Sequence, residues 1–176
     1  MKPDFYNYDF INIDGNMIHR TAMIYPNVGL GKGNVIGAYT VIGSNGEMRR
    51  PKDFNGTVTE FQETFQGNVS IGDNNVISEH VTIQRPHEFA STYVGSNNII
   101  MAHSHLGHNV IVNDNCEICT GVILGGYVIV KNGARLKLGV TVRNRLIIGE
   151  GATIGMQAAV IKDVPDGATV MGVPAK

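Results

Sequence analysis

Aliphatic residues recur every six positions along most of this chain. Ile18, Ile24, Leu30, Ile36 and Ile42 form one block, and Ile71, Ile77 and Ile83 form a second. A third runs unbroken through Val94, Ile100, Leu106, Val112, Ile118, Leu124, Val130, Leu136, Val142, Ile148, Ile154 and Val160. Such a period fits neither the helix nor the simply alternating strand. Three hexapeptides instead make one triangular coil of three short strands, and successive coils stack as parallel strands about 4.8 Å apart. Each residue then lies beneath the one roughly eighteen positions later, in a quasi-one-dimensional solenoid. The spacing therefore predicts an all-β, parallel β-helix, a triangular prism of hexapeptide repeats.

Small or β-branched residues occupy a second inward position: Val110, Cys116, Val122, Val128, Ala134 and Val140. This makes Cys116 of the lone CxxC (Cys116, Cys119) a packing residue, and no second pair exists to complete a zinc ribbon. The 22 glycines, set against no tryptophan, suit a fold with many tight turns. Two insertions break the register, at about 43–70 and 84–93. Long loops leaving a solenoid fold over neighbouring surface and are candidates for function. Residues 1–16, rich in Tyr and Phe, are expected to cap the open end, leaving 17–176 as the β-helix domain.

Charged residues make up only 16% of the chain and the net charge is -1, which argues against a nucleic-acid surface. The start lacks the pattern of a secretory leader and no apolar stretch is long enough to span a bilayer, so a cytoplasmic protein with a small-molecule partner is expected.

The segment HSHLGHN, 103–109, holds three of the six histidines. Counting by coils separates them. Arg85, His108, Gly126, Asn144 and Lys162 form one polar column, with a glycine beside the histidine. His80 and His103 should stack in another, and His105 lies in the segment leading to His108.

IIMAHSHLGHN (99–109), together with IHRTAMIYPNV (18–28), SEHVTIQR (78–85), LGGYVIV (124–130) and GEMR (46–49), resembles the UDP-N-acetylglucosamine O-acyltransferases of lipid A biosynthesis and their hexapeptide-repeat relatives. The resemblance implies a left-handed β-helix, although parallel crossovers are ordinarily right-handed. It implies that His108 is the general base that takes a proton from a sugar hydroxyl attacking an acyl thioester. The backbone N–H of Gly126 would face the oxyanion. His105 would position sugar hydroxyls or phosphate, and Glu47 and Arg49 would hold a nucleotide sugar such as UDP-N-acetylglucosamine. Arg85, Asn144 and Tyr127, on or beside the same column, complete the expected substrate-binding set. Met156 matches a position that limits acyl length, implying a short chain. The donor would be acyl-CoA or the phosphopantetheine of an acyl carrier protein, with no tightly bound cofactor and no metal. The basic segment 131–145 is a candidate to grip such a donor. A homotrimer with its site between subunits is implied as well.

Departures from the family pattern fall at Asn109, where an acid commonly follows the catalytic histidine, at Tyr127 and Gln84, where histidine is frequent, and at Asn144, in place of glutamine. The ending GVPAK resembles shorter sugar acetyltransferases. An acetyl-CoA-dependent amino-sugar N-acetyltransferase of surface polysaccharide synthesis is thus an alternative. Two others remain: a carbonic-anhydrase-like zinc enzyme using His80, His103 and His108, and a noncatalytic scaffold.

Overall fold

The computed structural model describes residues 9–47, 50–88 and 90–176. Its strands, mostly two residues long, form three sheets of nine, six and seven strands. Apart from the first strand, the strands pair in parallel with their equivalents one coil on. Leu106 pairs with Leu124, Leu124 with Val142 and Val142 with Val160 in one sheet, and Val112, Val130 and Ile148 align likewise in another. The hexapeptide aliphatics point into a continuous core in which Leu106, Leu124, Leu136 and Ile154 are fully buried. Each such side chain contributes about 1.5–3 kcal/mol on burial, so the repeat is held together along its length rather than at one centre.

Corners are made by residues in the left-handed backbone region. One corner column is Asn74, Asn97, Asn115, Gly133 and Gly151, a second is His80, His103, Gly121, Gly139 and Gln157, and a third is Asn109, Tyr127 and Arg145. The glycines that follow the hexapeptide aliphatic are different. At Gly37 a Cβ would lie 2.6 Å from the Glu79 nitrogen, so this glycine is required by the approach of the next coil's backbone and not by a turn.

An asparagine ladder lines the inside of one corner in the first coils. Asn16 Oδ1 accepts from the backbone and side-chain amides of Asn34, and Asn34 Oδ1 accepts from both amides of Asn75. Asn75 Oδ1 accepts from Asn98 N, and Asn98 Oδ1 from Cys116 N. At Cys116 the amide gives way to a thiol, which donates to the Lys131 carbonyl at 3.1 Å. Burial pushes that thiol up to about 11, and both cysteines are free. Cys116 is therefore a packing residue.

Register shows where the chain is interrupted. Leu30 pairs with Ile71, and Ile71 with Val94, whereas later partners follow at the regular interval. The first insertion contains the short helix Val58–Gln62, started by a capping box in which Thr57 and Glu60 satisfy each other's backbone N–H. Of the segment expected to cap the core, residues 1–8 lie outside the described residues. Phe10–Ile13 pairs antiparallel with Asn16–His19 through a two-residue turn, Asp14–Gly15, with both φ positive. It extends a sheet edge, leaving Ile11 and Ile13 38% and 45% exposed.

Candidate active site

His108 follows the strand His105–Leu106 at the corner where both insertions meet the regular coils. Its side chain is only 4% exposed. From the first insertion, Gly46 packs so closely that a Cβ there would fall 2.7 Å from the His108 Cβ, and Phe65 lies edge-on at 6.2 Å. From the next coil, the Tyr127 ring stands perpendicular to the imidazole at 5.1 Å, and the Arg145 guanidinium lies over the Tyr127 ring, 4.2 Å from its centroid.

Each ring nitrogen has a different surrounding. Nδ1 is 2.9 Å from Asn109 Oδ1. That oxygen also accepts the backbone N–H of His87 at 2.9 Å, while Asn109 Nδ2 donates to the His87 carbonyl at 3.4 Å. Nε2 faces Gly126, where a Cβ would lie 2.6 Å from it. Any side chain at 126 would occupy the space in front of the reactive edge. The Gly126 N–H donates to no protein oxygen among the described residues.

In front of this edge lies a cleft of about 220 Å³, lined by Glu47, Gln84, His105, Gly107, His108, Ile123, Leu124, Gly125, Gly126 and Asn144. Burial lowers the His105 imidazole below its ordinary value, and the Glu47 carboxylate opposes that effect. Gln84 Oε1 accepts the Glu47 N–H at 3.4 Å and so ties the loop to the prism. Asn144 fits against Gly125, where a Cβ would come within 2.8 Å of the Asn144 nitrogen. The column then continues to Lys162, which lines a larger apolar cavity of about 350 Å³ with Val160, Val164, Val170 and Pro174.

The cleft thus brings together Glu47, His105, His108, Gly126 and Asn144. Arg49 lies outside the described residues. Tyr127 touches the imidazole without lining the cleft. Arg85 does not line the cleft either: its backbone N–H donates to the Ser44 carbonyl, and its Nε is buried without a partner among the described residues. Met156 is 65% exposed on the corner next to Gln157, away from the cleft wall, because its hexapeptide position falls on a different edge of the prism from His108.

His80 and His103 do stack, with centroids 4.8 Å apart and planes within 4°, and Tyr39 continues the stack at 5.3 Å. This column is on the His103 corner, and among the described residues no three His, Cys, Asp or Glu side chains converge on a metal position. The sequence reading missed the contributions of Gly46, Phe65 and His87, which lie in the insertions outside the repeat. In the basic segment, Lys131 pairs with Asp166 at 3.0 Å, and Lys137 with Glu117 at 2.9 Å.

The family described as "Bacterial transferase hexapeptide (six repeats)" matches residues 91–126. The acyl-[acyl-carrier-protein]–UDP-N-acetylglucosamine O-acyltransferase of Gloeothece citriformis is 35% identical over 150 residues, 84% of this chain and 50% of the relative. That of Pseudomonas putida is 35% identical over 108 residues, 60% of this chain and 42% of the relative. The chain therefore spans about half the length of the curated relatives it matches. Among solved structures, a UDP-N-acetylglucosamine acyltransferase from Bacteroides fragilis superposes with a TM-score of 0.79 at 27% identity, covering 92% of this chain and 60% of that one. No helix among the described residues is long and apolar enough to cross a membrane. Repeat, fold and relatives agree: the chain is a left-handed β-helix that carries the bacterial transferase hexapeptide repeat and is similar to the UDP-N-acetylglucosamine O-acyltransferases.

Proposed function

We propose that this protein transfers a short acyl group from a CoA or acyl-carrier-protein thioester to a hydroxyl or amino group of a nucleotide sugar such as UDP-N-acetylglucosamine. The observation that carries this reading is the placement of His108 Nε2 against the bare backbone of Gly126 at the edge of a cleft. Nε2 takes the proton of the acceptor as its oxygen or nitrogen forms a bond to the thioester carbonyl carbon. The carbonyl oxygen becomes an oxyanion facing the Gly126 N–H. Collapse breaks the carbon–sulfur bond, and the imidazolium returns the proton to the departing thiolate. A thioester is already activated, so neither a metal nor a covalent enzyme intermediate is required.

His105, Glu47, Asn144 and Arg49 are assigned to the sugar nucleotide. For His105 the assignment is supported by burial, which favours a neutral ring able both to donate and to accept. The donor arm is assigned to the prism edge running from Gly126 past Asn144 to Lys162 and its apolar cavity. Such donors place the reaction in the cytoplasm.

At about 220 Å³ the cleft falls below the roughly 300–1,000 Å³ usual for small-molecule sites, which supports completion by a second subunit of a homotrimer. The outward column Tyr93, Ile111, Ile129 and Ile147 supplies an apolar stripe for that contact. Met156, exposed in the single chain, is left free to bound the acyl group at that junction.

The test is a panel of acetyl-CoA and acyl-carrier-protein thioesters against UDP-sugars, run on wild type and His108→Ala. A loss of about 10²- to 10⁴-fold in kcat is expected for the variant. Equal activity of the two would overturn the assignment of the base. A solution mass equal to one 19.0 kDa chain would overturn the trimer.

A further inference from the structure

We propose that Phe65 and Gly46 form a wedge that positions Glu47 at the mouth of the cleft, so that the first insertion, and not the repeat, sets how the acceptor is held. The three residues that leave the strand Val41–Ser44 are each fixed by a different part of the molecule. Asn45 Nδ2 donates to Gln62 Oε1 at 2.9 Å and to the Gln62 carbonyl at 3.2 Å, at the end of the short helix. Gly46 is buried between two rings, since a Cβ there would fall 2.6 Å from Phe65 Cε1 and 2.7 Å from His108 Cβ. The Glu47 N–H donates to Gln84 Oε1, on the strand of the next coil. Glu47 then lines the cleft together with His105.

Phe65 is the fixed side of the wedge. It is fully buried although the insertion around it is largely exposed. Its ring stands edge-on to Phe61 at 6.1 Å and to His87 at 5.2 Å. The Thr64 carbonyl accepts the Glu88 N–H at 3.1 Å, so the second insertion braces the first. Gly46 does not have a positive φ, and its lack of a side chain is therefore required by the two rings rather than by its backbone. Phe65 itself does not line the cleft and acts through Gly46 and Glu47, which makes it a positioning residue.

The inference rests on the acyl-transfer reading for its link to the acceptor, but the place of Glu47 can be read without turnover. The Glu47 carboxylate opposes the lowering of the His105 pKa by burial, so the response of His105 to Glu47→Gln reports how close the carboxylate stands. That response is measured by NMR titration in wild type, Gly46→Ala, Phe65→Leu and the double variant. In wild type, Glu47→Gln is expected to lower the His105 pKa. In Gly46→Ala the new methyl drives the loop off the imidazole, and the response is expected to fall to less than about half, with KM for UDP-N-acetylglucosamine raised about tenfold and KM for the thioester donor changed less than about twofold. Adding Phe65→Leu, which removes the ring atom nearest that methyl, is expected to restore most of both. Phe65→Leu alone loosens the wedge while keeping an apolar side chain, and a reduced response there carries the test should Gly46→Ala fail to fold. A response of equal size in wild type and in the single variants overturns the proposal, as does a wild-type His105 that ignores Glu47→Gln. An inactive wild type that shows the expected responses keeps the positioning role and removes the acyl-transfer reading.

Discussion

The coils up to Leu106 and the coils beyond it share one cross-section but are built differently. In the first, two insertions break the register and buried asparagines line a corner. In the second, nothing is inserted between Gly107 and Val160, and the same corner position is filled by Cys116, Ala134 and Ala152, all buried. The candidate site lies where the two meet. The regular coils supply a stripped backbone ledge at Gly125 and Gly126, whose accuracy comes from the repeat. The interrupted coils supply what a repeat cannot: Gly46 and Phe65 against the imidazole, and the His87 backbone that holds Asn109. A solenoid is accurate but open, and closure over one residue has to come from outside its period.

The sharpest way to break this division is at the ledge. Gly126→Ala should lower kcat by about 10²- to 10³-fold, because the new methyl would fall 2.6 Å from Nε2 and displace the imidazole, and the same overpacking should cost about 1–3 kcal/mol in urea unfolding. Wild-type kcat in that variant would show that the regular half is a support only.

A smaller effect separates the two corners by stability. Asn34→Ala strands donors and acceptors on Asn16, Asn75 and Gly72, for an expected loss of about 2 kcal/mol or more. Cys116→Ala, at the equivalent position a few coils on, should cost about 1 kcal/mol. Urea unfolding of both variants gives the comparison, and equal losses would mean that the ladder contributes no more than its packing.

The smallest effect is in the pH response. Burial holds the folded His105 pKa below its ordinary value of about 6.5. Through that interval the unfolded chain binds more protons than the folded one. Stability should fall as pH drops through about 6.5 and level off beneath the lower folded value. His105→Gln should flatten that part of the melting-temperature profile. An identical slope in wild type and variant would show that the cleft leaves His105 as solvated as in the open chain.

Much of this was legible from period alone. The hexapeptide aliphatics, the inward small position, the His80–His103 stack and the His108–Gly126 juxtaposition all follow from counting coils, because stacking in a solenoid is a one-dimensional rule. Inward polar positions were harder to read, since Asn16, Asn34, Asn75 and Asn98 each look like an ordinary turn residue until their neighbours one coil away are paired with them. The insertions follow no period, so the approach of Gly46 and Phe65 to His108 had no signal in spacing. Asp14–Gly15 did carry one, a two-residue hairpin turn, which separates a strand added at the sheet edge from a lid across the core.

The two halves also differ in how the chain must find itself. Contact between Asn98 and Cys116 closes 18 residues, whereas contact between Asn34 and Asn75 closes 41. The longer closure costs about 0.7 kcal/mol more in chain entropy. Coils beyond residue 107 are therefore expected to zip first, each on a template already in place, with the interrupted coils joining a preformed edge. His108 would be set on its corner before the loops that enclose it arrive, so that the site matures from an open shelf to a closed one in the last step of folding.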